Sequence, residues 1–114
     1  MTAGMRTIIY PVVDLDAAKT LYGELFGIEP YMDEPYYVGY NVGDQNVGLD
    51  PNGHGKGMTG PTGYWHVDDL EAALEGLVLR GASRVQDITD VGRGKLIAAA
   101  QDGDGNFIGL LQMP

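Results

Sequence analysis

A chain of 114 residues, 44% hydrophobic and 20% charged, has the composition of one ordinary globular domain, and its 18 glycines call for many tight turns and hence strands. The absence of cysteine excludes disulfides, thiolate metal sites and a cysteine nucleophile, and a net charge of -9 with only seven Lys and Arg argues against a nucleic-acid partner, whose phosphates must be neutralised by basic side chains. No stretch approaches the roughly eighteen apolar residues of a membrane span and no apolar signal core opens the chain, so no membrane partner is expected and a soluble, cytoplasmic protein is.

Thr7 to Val13 reads as the first strand, rich in β-branched residues. Asp14 then stands where its carboxylate can accept from a free N–H at a helix start, and Asp16 in the first turn favours the helix dipole. Leu15, Ala18, Leu21, Tyr22, Leu25 and Phe26 recur at helical spacing, and Gly27 falls at the expected left-handed cap. Two strands follow, "YYVGYNV" (36–42) and "NVGLD" (46–50), joined by a "GDQN" turn. The stretch "PNGHGKGMTGP" (51–61), with four glycines, reads as a flexible linker in which His54 is solvent-exposed.

The second half repeats the first. Thr62 to Val67 is a strand, Asp69 a cap, Glu71 a first-turn acid, and Leu70, Ala73, Leu74, Leu77 and Val78 an apolar helix face ending at Gly81. A strand around Arg84 to Ile88 is followed by "KLIAAAQ" (95–101) and "NFIGLLQ" (106–112), joined by the turn "DGDGN". Asp14-Leu15-Asp16-Ala17-Ala18 matches Asp69-Leu70-Glu71-Ala72-Ala73 at an offset of 55, which an internal duplication explains. Each half is βαβββ, and the fold class is α+β: modules 5–50 and 61–112, linked by residues 51–60, within a single domain spanning 1–114.

Asp102, Asp104 and Asn106 imitate the start of a calcium loop, but the sixth and twelfth positions are Phe107 and Met113 where such a loop needs Gly and a bidentate acid. "GHGKGMTG" lacks the spacing of a phosphate-binding loop, and Ser83, the only serine, lies in a loop, which leaves no Ser/His/Asp triad to argue. His66 would act as a general base or donor if it faced a substrate, and otherwise sits at a strand end partly in water. Tyr31, Tyr36, Tyr37 and Tyr40 cluster within ten residues, as strand-formers or as ligand-stacking rings.

The duplicated βαβββ unit, the strand ending in V-x-D-L before each helix and the D-x-D-G-N hairpin together resemble the vicinal oxygen chelate superfamily, which includes glyoxalase I, extradiol dioxygenases and bleomycin resistance proteins. The resemblance implies two modules curled around a cavity with helices outside. It places metal ligands in four inward slots: a His seven residues before each capping Asp, and an acid or amide in each final strand. Here those slots fall on Thr7, Thr62, Gly109 and, within a residue or two, Gly48. None carries a good ligand for a divalent ion, so no metal and no cofactor are expected.

The same register turns Thr7, Ile9, Thr62, Tyr64 and His66 inward, with Gly48, Ala99 and Gly109 as a small-residue floor. If "GDQN" centres on Asp44 and Gln45, Asn41 pairs opposite Gly48 and Tyr37 and Asn41 face the cavity; a bulge would put Tyr36 and Tyr40 there instead. Tyr37, Tyr40 and Tyr64 are retained as candidate ligand contacts. The resemblance then implies a metal-independent protein that sequesters an aromatic or cationic, antibiotic-like small molecule, and a homodimer. Two alternatives compete with it: a glyoxalase- or dioxygenase-type lyase or isomerase with a degenerate or displaced metal site, and an interaction module whose cavity is vestigial.

Overall fold

The computed structural model describes residues 2–114. The chain forms two compact units, residues 6–62 and residues 63–114, the second joined by the stretch before Arg6. The first contains β1 (Thr2–Pro11) from Arg6 onward, α1 (Leu15–Phe26), β2 (Met32–Glu34), β3 (Tyr37–Val42) and β4 (Gln45–Asp50). The second contains β5 (Thr62–Val67), α2 (Leu70–Leu79), β6 (Ser83–Asp90), β7 (Leu96–Gln101) and β8 (Phe107–Gln112). Strands run in the order β2-β3-β4-β1 in one and β6-β7-β8-β5 in the other, with a parallel β1/β4 pair answered by a parallel β5/β8 pair. The two halves therefore share one topology, as the sequence repeat demands. No helix among the described residues is long and apolar enough to cross a membrane.

Both helices start as their aspartates dictate. Asp14 Oδ1 accepts from the Ala17 N–H at 3.0 Å and Asp69 Oδ1 from the Ala72 N–H at 3.1 Å. Gly27 caps α1 at φ 68°, and α2 ends at Arg80, followed by Gly81 at φ +111°. Against the sheet of its own unit, α1 packs Leu15, Ala18, Tyr22 and Phe26 onto Tyr10, Val12, Val38, Tyr40, Val47 and Leu49. Rings run through this core: Tyr10 to Tyr22, Tyr22 to Phe26, and Phe26 edge-on to Tyr40 at 5.1 Å. In the other unit α2 lays Leu70, Ala73, Leu74 and Leu77 on Ala98, Ala100, Leu110 and Ile108.

Several local expectations are corrected. Leu21 and Leu25 are 69% and 75% exposed, because the six apolar positions of α1 wrap further round the helix than a sheet can cover and only the 15-18-22-26 stripe makes contact. The turn after β3 uses Gly43 and Asp44, with Gly43 at φ 62°, so Asn41 pairs with Asn46 and Gly39 with Gly48. β2 was not anticipated; three residues are too few to show a period, and the strand exists by pairing with β3. Ser83 opens β6 and is not in a loop.

The glycine-rich stretch after β4 is not a free linker. Buried Asp50 accepts from the Asn52 N–H and from Lys56 Nζ, each at 2.8 Å, and the Met58 N–H returns to the Gly53 carbonyl. Gly53 is wedged so closely against Pro11 that a Cβ there would lie 2.7 Å from the Pro11 Cβ. Glycine here serves close packing around a 3₁₀ turn at His54–Lys56, with His54 exposed as expected.

"DGDGN" is a hairpin turn tied by one side chain. Asp102 Oδ1 accepts from the Asp104 and Asn106 N–H groups at 2.9 Å, and Oδ2 from Asn106 Nδ2 at 3.0 Å. The side-chain bond from Asn106, then its backbone N–H, hold the Asp102 carboxyl below the usual carboxylate range.

Two outcomes follow from these contacts. Leu74→Ala, at a fully buried site, should lower unfolding free energy by about 2–5 kcal/mol in urea titrations followed by circular dichroism. Because the folded Asp102 pKa is depressed, its contribution is present above the unfolded carboxyl pKa and disappears as pH falls through the lower folded value. The melting-temperature gap between the native chain and Asp102→Ala should therefore be wide near neutrality and narrow steadily in acid; a gap independent of pH would assign the turn's stability to geometry alone.

Candidate functional site

Strand alternation divides the strand residues of the first unit between α1 and the opposite face. Tyr10 on β1, Val38 and Tyr40 on β3, and Val47 and Leu49 on β4 go to α1. Opposite them stand Thr7, Ile9 and Pro11; Tyr37, Gly39 and Asn41; and Asn46, Gly48 and Asp50. Gly39, Gly48 and Ile9 are consecutive partners across three strands. Thr7 and Ile9 are buried, Tyr37 is half-buried and Asn41 is exposed.

The two glycines make a floor on which tyrosine rings rest. A Cβ on Gly39 would lie 2.8 Å from Cζ of Tyr31, and one on Gly48 would collide with the Tyr37 hydroxyl and ring. Asn46 fixes the Tyr31 ring: its Nδ2 donates to the Tyr31 hydroxyl at 2.9 Å and to Asn41 Oδ1 at 3.1 Å. Asn46 Oδ1 is buried with no hydrogen-bond partner among the described residues. Asn46 carries no local signal of its own, although it stands two residues from Gly48 and must share its face; Tyr31 stands out in the sequence only as one of a cluster, because nothing local reveals that β2 returns it over Gly39.

Tyr40 belongs elsewhere. Since the hairpin turn closes with two residues and no bulge, Tyr40 falls in phase with Val38 and points to α1, against Phe26. It is not on the face of Tyr37 and Asn41, and the expectation that placed it there is corrected. Tyr36 is exposed just before β3.

In the second unit Val67, Ala98, Ala100 and Leu110 go to α2. Alternation therefore sets Thr62, Tyr64 and His66 on the opposite face with Ala99 and Gly109, and Tyr64, Gly109 and Ala99 are partners in register. Thr62, Tyr64, Ala99 and Gly109 are buried, and His66 is half-buried, with its carbonyl accepting from Thr2 Oγ1 at 2.7 Å. A Cβ on Gly109 would come within 2.7 Å of both the Gly63 carbonyl oxygen and Cδ2 of Tyr64.

These contacts test the implied divalent ion directly. Threonine hydroxyls at 7 and 62 are poor substitutes for imidazole, and a carboxylate at 48 or 109 would have to grow through space that Tyr37 and Tyr64 already occupy. The positions do not fit a metal held in the superfamily's manner. Among the described residues no three His, Asp or Glu side chains are grouped so as to hold an ion. The nearby Asp50 carboxylate is committed to Lys56 and the Asn52 N–H.

Comparison with known proteins places this architecture. No curated protein matches the sequence. Among solved structures, an NAD-dependent benzaldehyde dehydrogenase from Legionella pneumophila superposes with a TM-score of 0.74 at 12% identity, over 95% of this chain and 98% of that one. Methylmalonyl-CoA epimerase from Mycobacterium tuberculosis gives 0.72 at 18% identity, over 99% and 89%. The Mn(II)-bound glyoxalase from Novosphingobium aromaticivorans gives 0.69 at 15% identity, over 97% of this chain and 39% of that longer one. Identities this low speak for the fold alone, and one fold carries many activities. The profile of one superfamily matches residues 4–110, nearly the whole length, and the chain therefore belongs to the glyoxalase/bleomycin resistance protein/dioxygenase superfamily.

Proposed function

We propose that this member of the superfamily is a metal-independent small-molecule-binding protein that sequesters a flat aromatic or cationic, antibiotic-like ligand. One observation carries the reading: the positions where relatives would present carboxylates are Gly48 and Gly109, and tyrosine rings lie over both. Recognition then passes from coordination to stacking. A ring pair contributes about 0.5–1.5 kcal/mol beyond its buried area, and a cation over a ring about 0.5–2 kcal/mol. Tyr31 is held by Asn46, so its ring is ordered before a ligand arrives. The net charge of -9 raises the local concentration of a cationic ligand and repels an anionic one.

A thermal-shift panel of flat aromatic and glycopeptide antibiotics tests this, because a ligand at about 100 times its Kd adds roughly 2.7 kcal/mol to the native state. The expected result is a stabilising compound recovered chemically unchanged, whose affinity drops about tenfold in Tyr37→Ala. Turnover of a 2-oxoaldehyde thiol adduct or a catechol would instead make the chain an enzyme. Separately, protein stripped with a chelator and then offered manganese, zinc, nickel or iron should retain far less than one ion per chain after desalting and melt at an unchanged temperature. Stoichiometric retention would overturn the ligand argument.

A further inference from the structure

The helix side of the first unit contains a cleft of about 370 Å³ between the C-terminal half of α1 and the segment leading into β2. It lies across the sheet from the tyrosine-covered glycines and shares no residue with them. Its walls are polar: Lys19, Glu29 and Asp33 surround the hydroxyl end of Tyr40, while Ile28 and Pro30 supply an apolar flank. Lys19 Nζ and Asp33 Oδ2 pair at 2.8 Å, which neutralises the one cation among the described lining residues and leaves Glu29 with no ion-pair partner among the described residues. α1 brings its carbonyl end here with no basic residue in its last turn, adding partial negative charge.

Two features of the cleft are unexplained by packing. Tyr40 is 1% exposed, yet its hydroxyl forms no hydrogen bond with any described residue. Burial pushes its pKa above the ordinary phenol value, so the hydroxyl stays neutral and offers lone pairs as well as a proton. Gly23 lies inside α1, where glycine costs about 1 kcal/mol relative to alanine. It has no steric need to be glycine, since a Cβ there would meet only the Tyr40 hydroxyl, at an ordinary 3.9 Å. What it does is hold open the wall above that hydroxyl.

We propose that this cleft binds a small organic cation, a primary ammonium on a short apolar tail. The ammonium donates to Tyr40 Oη and to the Glu29 carboxylate under the negative end of α1, and the tail lies along Ile28 and Pro30. This site is independent of the ligand proposed for the opposite face, and the probes below separate the two by position.

The test is a titration of the full chain with n-butylammonium, n-butanol and n-butyrate, followed by amide NMR. Saturable shifts confined to Gly23, Gly27 and their neighbours, with butylammonium about tenfold tighter than either control, are the expected result. Gly23→Leu should abolish them by filling the cleft, and Tyr40→Phe should weaken them severalfold while the spectrum elsewhere is retained. Glu29→Gln, an exposed change, covers the case in which Gly23→Leu disturbs the helix, and should also weaken binding. Equal responses to all three probes, no saturable shift, or shifts that survive both Tyr40→Phe and Glu29→Gln would overturn the site.

Discussion

Gly48 stands beside Ile9 on one strand and Gly39 on the next, and that register decides what each face of the first unit can carry. With glycines at 39 and 48, the rings of Tyr31 and Tyr37 drop onto the backbone. The same alternation sends Val38, Tyr40, Val47 and Leu49 the other way, under α1. A one-residue slip would exchange the two sets, burying Asn41 and Asn46 under the helix and exposing the apolar core. The register is thus held by burial on one side and sets which rings cover the glycines on the other. In the second unit a ring also meets a glycine, but from a different strand: Tyr64 on β5, the counterpart of Ile9 on β1, lies against Gly109, whereas Tyr37 reaches Gly48 from β3.

What could be read in the sequence was whatever short-range physics dictates. Asp14 and Asp69 announce their helices because a cap is made within three residues, and Asp102 announces its turn for the same reason. The βαβββ repeat follows from matched segments in both halves. The resemblance sets the slots at Thr7, Thr62, Gly109 and, within a residue or two, Gly48 by their distance along the chain, and their contents, glycine and threonine, are visible without a structure.

The rest depends on partners distant in sequence. Nothing around Tyr31 states that its ring lies on Gly39, eight residues later and one strand away. Leu21 and Leu25 carry the same local signal as Tyr22 and Phe26, and only the width of the sheet separates covered from exposed. Glycine-rich composition in 51–60 suggests freedom, whereas Asp50 and Lys56 close the segment through a contact across six residues. "GDQN" admits more than one two-residue turn, and the choice of Gly43 and Asp44 follows from the positive φ that Gly43 adopts without cost. Either two-residue turn leaves Tyr37 on the face of Gly48 and Tyr40, three residues on, against α1; only a bulge would have exchanged them, and none is present.

Two tyrosines three residues apart on β3 therefore meet opposite demands. Tyr37 covers Gly48, so no side chain can be placed at 48 alone; the ring must leave as well. Replacing Gly48 or Gly109 with the rings left in place would overpack that face at a cost of about 1–3 kcal/mol each. Tyr40, fixed by Phe26 and Leu49 into the core, cannot move without disturbing that core, and its hydroxyl is delivered to the cleft as rigidly as the sheet itself. Gly23 completes the arrangement from the helix side: filling it would favour the helix and close the space, so its presence weighs access to the hydroxyl against stability.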